Sequence, residues 1–200
     1  LTDNEKNILT EGELRDGVRL ACMVEVYGDT EVQLLKKELK HKVLVKGYMP
    51  EDFVPDDHDG GYGAAIDIGT TTVVTALVDM KTGDEISYAS MVNAQKSYGL
   101  GVLTRITYEY ENGEKGIHQL QEAIVGSIND MLDEACGKAG LDRHVVRHIT
   151  VGANCTMMHM LLGVDARSIG KAPFIPEFTE AQTLKCSDIG IDVAEGADLY

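Results

Sequence analysis

"AAIDIGTTTVVTALVD", residues 64–79, decides how the rest of the chain is read. Two apolar runs rich in strand formers flank Asp67-Ile68-Gly69-Thr70-Thr71-Thr72, and no helical pattern follows. The polar residues therefore sit at a hairpin tip. Glycine loops that bind phosphate usually open a helix, whose N-terminus supplies the anion site. This one hands over to a second strand. Gly69 lets a backbone N–H approach an anion with no Cβ in the way. Thr70, Thr71 and Thr72 add hydroxyl and amide donors of the kind that form a concave phosphate cradle. Asp67 would repel a phosphate directly, yet it can hold Mg²⁺ through water. The residue types fit a Mg-nucleotide. They also fit a plain turn, because Thr favours strands and Asp and Gly favour turns. A Walker loop, GxxxxGK followed by Ser or Thr, occurs nowhere, and neither "GYGAAI" nor "GLGVLT" completes GxGxxG.

Around this tip the pattern is α/β. Strands are expected at "GAAIDIG", "TVVTALVDM" and "EISYASMV", with "DMKTGDE" turning the chain between the last two. Ile117, Leu120, Ile124, Ile128, Met131 and Ala135 recur at helical spacing and predict a long amphipathic helix that Gly140 ends. "HITVG" then reads as a fourth strand and "NCTMMHMLLG" as a short helix, capped by Asn154 or Thr156 and closed by Gly163. Three antiparallel strands, a helix, a strand and a helix make the first half of an actin-like or hexokinase-like lobe.

Upstream, "PEDFVPDDHDGG" (residues 50–61) reads as an exposed acidic linker, with the main boundary near Gly60. Before it, "TDNE" (Thr2 to Glu5) is a capping box that opens a short helix. "VRLACMVEV" (Val18 to Val26) has the period of a half-buried strand. Such a small unit cannot bury a core alone. A formal net charge of −15 argues against a nucleic-acid partner, and no apolar run reaches the length of a membrane span. Cys22, Cys136, Cys155 and Cys186 are scattered, against a disulfide framework or zinc site and for a reducing, cytoplasmic setting. The chain begins with Leu1, so it reads as a piece of something longer.

"AIDIGTTTVVTALVD" resembles the first phosphate motif of the acetate and sugar kinase/heat-shock protein 70/actin superfamily. More narrowly, the chain is similar along nearly its whole length to the ATP-dependent reductive activators of corrinoid proteins. "NAQKSYGLGVLTRI" (Asn93 to Ile106) and "VGANCTMMHMLLGVDARSIGKAPFIPEF" (Val151 to Phe178) carry the resemblance with it. It implies an α/β, ribonuclease H-like first lobe with a mixed sheet over residues 62–200. Residues 35–61 would be the linker, and residues 1–34 the C-terminal remnant of a β-grasp ferredoxin domain. It implies ATP and Mg²⁺ as cofactors, with Asp67 on the metal and Gly69, Thr70, Thr71 and Thr72 on the phosphates. Asn154 would face the nucleotide cleft. The implied activity is reduction of Co(II) to Co(I) in a corrinoid protein, by an electron from a 2Fe-2S cluster, in support of corrinoid methyltransferases. A homodimer is an assembly the resemblance leaves open.

The resemblance also marks departures. Cys22 matches the last of four cluster ligands, and the other three, a Cys-x5-Cys-x2-Cys run, would lie upstream of Leu1. Cys136, Cys155 and Cys186 are placed wrongly to replace them, so this chain alone is expected to hold no cluster. A second phosphate loop and an adenosine pocket do not appear before Tyr200, so nucleotide affinity and activity of the chain alone are expected to be weak. Gly101 stands where the resemblance leads one to expect an acidic residue, which bears on hydrolysis. A small-molecule kinase of the same superfamily is the alternative, and a nucleotide-gated module that grips a corrinoid protein without redox work is another. Of the remaining candidates, His144 and His148 read as a solvated basic turn, His159 as a hydrogen-bonded core histidine, and Cys155 as small-residue packing rather than a reactive thiol.

Overall fold

The computed structural model describes residues 2–21, 24–33, 54 and 60–200. The chain divides into two compact units, Leu1–His41 and Lys42–Tyr200. The expected linker at 35–61 lies almost wholly outside the described residues.

In the first unit, α1 (Asp3–Ile8) and α2 (Glu11–Arg15) are both opened by capping boxes, Thr2 with Glu5 and Thr10 with Glu13. The first is the one expected from "TDNE". Glu5 goes further: its carboxylate accepts from the Thr2 N–H at 2.8 Å and the Leu20 N–H at 3.3 Å, tying residue 20 back to α1. The Thr2 bond holds the Glu5 carboxyl below its ordinary pKa. The strand expected over Val18–Val26 does not form at its described positions: residues 18–20 and 24–27 belong to no strand, and Val24 and Val26 are exposed. Alternation gives a strand its faces but not its ladder, and no described residue supplies the neighbouring backbone that a strand must bond.

The second unit is built on one six-stranded mixed sheet in the order β3-β2-β1-β4-β6-β5. β1 (Tyr62–Ile68) and β3 (Glu85–Val92) each pair antiparallel with β2 (Thr72–Asp79). The chain then passes through α3 (Val102–Asn112) and α4 (Glu114–Lys138) and returns as β4 (Val146–Ala153), parallel to β1. After α5 (Cys155–Leu162), two-residue strands β5 (Leu184–Lys185) and β6 (Asp198–Leu199) extend the far edge. This is the α/β actin-like lobe expected from the sequence.

Side-chain alternation fixes which sheet face meets the helices. Ala64, Ile66 and Ile68 on β1, Val73 and Leu77 on β2, and Ile149 and Val151 on β4 are buried, together with Leu120, Ile124, Ile128, Met131 and Leu132 of α4. The intervening residues Ala65, Asp67, Thr150 and Gly152 are exposed on the other face. α4 lies along β2 and β3 and contacts α3 and α5.

α3 was not expected from the sequence. It is a separate helix because Gly113 takes φ 58°, ψ −141°, ending α3 and starting α4 in one residue. That conformation is open to glycine and costly for any residue with a Cβ. The core-facing residues of α3 are Arg105, Ile106 and Glu109, so its buried face carries two ionisable side chains and shows no apolar stripe. Among the described residues, no helix is long and apolar enough to cross a membrane.

Candidate functional site

β1 and β4 are parallel neighbours, with Ile68 opposite Ala153, so their carboxyl ends finish side by side. Gly69 follows one and Asn154 the other. In open α/β sheets, ligands bind outside such strand ends.

The tip, Gly69-Thr70-Thr71 between β1 and β2, is closed by the Gly69 N–H on the Thr72 carbonyl at 2.9 Å. A Cβ on Gly69 would stand 2.8 Å from that carbonyl oxygen, so the turn closes this tightly only with glycine. Three loop carbonyls point into the protein. Gly69 O accepts from Asn93 Nδ2 at 2.9 Å, Thr70 O from an Arg105 terminal nitrogen at 2.5 Å, and Thr71 O from the Asn93 backbone N–H at 2.9 Å. A planar trans peptide carries its N–H opposite its C=O. The amides of Thr70 and Thr71 are thereby turned outward, and neither has a partner among the described residues. The Thr71 and Thr72 hydroxyls are likewise unpartnered there, and Thr70 Oγ1 lies 3.5 Å from Asn154 Nδ2. Two outward amides in succession form the donor nest that anions occupy.

Asn93, Gln95 and Arg105 beneath the loop are fully buried. Gln95 donates to Leu120 O at 3.0 Å, its oxygen accepts from Arg105 at 3.1 Å, and its backbone N–H caps onto Asn93 Oδ1 at 3.0 Å. Arg105 Nε also donates to Gly99 O at 3.0 Å. Burial lowers the Arg105 pKa, but a guanidinium starts high enough to stay charged. This supporting set was missed in the sequence. All three residues lie in Asn93–Ile106, yet nothing in their type separates them from surface polar residues.

Asp67 lies on the open face of β1, between Val74 and Gly152, exposed and without a hydrogen-bond or ion-pair partner among the described residues. A free carboxylate at the strand end beside unpartnered amides suits a hydrated Mg²⁺ with a phosphate chain. The residues present fit Mg-nucleotide. Asn154 uses its Oδ1 to cap α5 through the Met157 N–H at 3.0 Å, as one of the two expected caps.

The described cysteines lie apart from one another. Cys22 lies outside the described residues. Cys136 on α4 and Cys186 are buried, and burial pushes the Cys186 thiol up to about 11. Among the described residues, no three His, Cys, Asp or Glu side chains gather as a metal site. Cys155 is not packed as expected: it is exposed, on a 250 Å³ pocket shared with Val151, Met158, Phe178 and Tyr200.

His159 is the satisfied core histidine that was expected. Its Nδ1 donates to the Cys155 carbonyl at 2.8 Å, and its Nε2 accepts from the Glu177 N–H at 3.1 Å. Its ring stacks on Phe178 at 4.2 Å and clamps the following loop to α5. His144 is held by Asp142 and Asp192, which raise its pKa, while His148 stands on β4 and stacks toward Tyr200.

The profile of the protein family described as RACo middle region matches residues 62–200. The chain belongs to the RACo middle region family. It is 32% identical over 166 residues to a corrinoid activation enzyme, RamQ, of Eubacterium limosum, covering 82% of this chain and 28% of that protein. A solved structure titled reductive activator for corrinoid, iron-sulfur protein matches with a TM-score of 0.68 at 31% identity, covering 70% of this chain and 22% of that one. The chain thus spans between a fifth and a third of the length of these relatives. The family match takes in the whole six-stranded sheet and the tip loop, so the loop just described is a part of the RACo middle region.

Proposed function

We propose that this chain supplies the first phosphate-binding lobe of an ATP-dependent reductive activator that returns a corrinoid protein from Co(II) to Co(I). The observation that carries this reading is the tip loop, whose Gly69, Thr70 and Thr71 carbonyls are tied inward and whose Thr70 and Thr71 amides face out with no partner among the described residues. The names borne by the relatives give the class of target, a corrinoid protein.

In this reading Thr70 and Thr71 amides, with the Thr71 and Thr72 hydroxyls, grip the phosphates, and Gly69 allows the close approach. Asp67 orients Mg²⁺ through its water shell, and Mg²⁺ when bound neutralises phosphate charge. Asn154 holds Thr70 from the β4 side. The described cysteines offer no cluster site, so the electron's route lies outside what these residues do. Reduction of Co(II) takes one electron, and each 59 mV of uphill potential costs about 1.4 kcal/mol. Nucleotide binding contributes only through a differential affinity for the two states of the protein. The lobe's part is therefore to couple phosphate contacts to a conformational equilibrium.

The test is reduction of a Co(II) corrinoid protein by the complete protein and a reductant, followed by the cobalt absorption bands, with and without Mg-ATP. Co(I) should accumulate only with Mg-ATP. Equal accumulation without nucleotide contradicts the reading, and phosphorylation of a small-molecule acceptor instead would identify a kinase.

A further inference from the structure

Arg105 is fully buried, yet every partner it has among the described residues is neutral: the carbonyls of Gly99 and Thr70, the side-chain oxygen of Gln95 and the sulfur of Met157 at 3.2 Å. A buried charge is ordinarily paired, because an uncompensated one forfeits its hydration. Here the guanidinium rests on the oxygen of the Thr70–Thr71 peptide. The N–H of that same peptide, on Thr71, faces outward with no partner among the described residues. A hydrogen bond to a peptide oxygen polarises the unit and strengthens donation from its N–H. An anion at Thr71 would therefore be joined to Arg105 through a single peptide plane.

We infer that Arg105 is the charged positioning residue of the tip loop, and that its counter-ion is the bound phosphate rather than a carboxylate among the described residues. This rests on the phosphate reading of the loop and adds to it where the compensating positive charge resides. Asn93 orients the two flanking peptides in the same way without charge. The chain thus separates geometry, which three buried polar residues set, from electrostatics, which Arg105 alone among them supplies.

Three variants of the complete protein test this: Arg105→Lys, Arg105→Gln and Gln95→Glu. Affinities for Mg-ATP and for adenosine are measured by titration calorimetry, and melting temperatures without nucleotide. The two Arg105 variants both lose the forked bond set, so both melt below wild type. The Lys variant, which keeps the charge, should bind Mg-ATP within about threefold of wild type. The Gln variant should lose at least about tenfold, or about 1.4 kcal/mol. Adenosine, lacking phosphates, should bind all variants alike. Gln95→Glu leaves Arg105 in place but gives it a carboxylate within the chain, and should weaken Mg-ATP by about tenfold as well. That variant keeps the test open if Arg105→Gln fails to fold.

Equal Mg-ATP affinity in the Lys and Gln variants, or undiminished affinity in Gln95→Glu, would overturn the inference and leave Arg105 a structural residue. A wild-type protein that binds no Mg-ATP would overturn the phosphate reading beneath it as well.

Discussion

Replacing Asp67 with alanine in the complete protein should abolish ATP turnover while leaving the fold intact. The two halves of this expectation come from the same observation. Asp67 is exposed on the open face of β1 and has no partner among the described residues. Surface changes away from packed or paired groups alter stability by about 0.5 kcal/mol or less. The turnover half rests on the metal. In the proposed site Asp67 is the carboxylate assigned to orient hydrated Mg²⁺. A loss of at least about a hundredfold corresponds to about 2.7 kcal/mol of transition-state stabilisation, well within what a misplaced catalytic metal costs. Asp67→Asn should lose as much, because the amide keeps the shape and removes the charge. Steady-state phosphate release and a melting curve on the same samples check both halves. Unchanged turnover in Asp67→Ala would remove Asp67 from the site.

A second large effect is expected one helical turn beyond Arg105 on α3. Glu109 is fully buried on α3; its Oε2 accepts from the Ala166 N–H at 2.9 Å, and its Oε1 has no partner among the described residues. Burial pushes its carboxyl up to about 7, against the Ala166 bond, with Asp165 raising it further and Arg167 lowering it. Arg167 gives Glu109 little relief because it is engaged fork-to-fork with Asp165. The folded state therefore keeps the Glu109 proton up to about pH 7, while the unfolded chain ionises near the ordinary carboxyl value of 4.5. Stability is complete below pH 4.5, falls as pH rises from there to about 7, and levels off above. A shift of this size corresponds to about 3 kcal/mol. Glu109→Gln cannot ionise and keeps an oxygen for Ala166. At pH 8 it should be more stable than wild type by about 2–3 kcal/mol, and at pH 4.5 the difference should vanish. Urea unfolding at both pH values decides it. A variant no more stable than wild type at pH 8 would show that Glu109 is solvated or paired in solution.

What the sequence made legible follows from periodicity. β1, β2, α4, β4 and α5 each present one apolar face, and their bounds fall close to the expected ones because burial acts on every turn or alternate residue. β3 was legible from its strand formers and the turn before it, although Ile86, Tyr88 and Val92 are exposed and Ala89 is the residue it buries. α3 escaped because Arg105 and Glu109 occupy its core face, where a hydrophobic pattern was sought. β5 and β6 are two residues each, too short to show any period. Val18–Val26 failed in the opposite direction, with a clean alternation that lacks a described partner strand. The tip itself was legible, since Asp, Gly and Thr at a strand end are a local signature. Its support was not, since Asn93 and Arg105 reach the loop across 24 and 35 residues of chain. Only the tertiary fold distinguishes such buried polar residues from surface ones.

The central claim is that the outward amides of Thr70 and Thr71 receive nucleotide phosphates. A crystal structure of the complete protein with Mg-ADP tests it most directly. The account predicts phosphate oxygens at about 2.7–3.1 Å from those two nitrogens, with the metal's water shell on Asp67 and the Arg105–Thr70 bond intact. A nucleotide bound elsewhere, with the tip loop facing solvent, would contradict it.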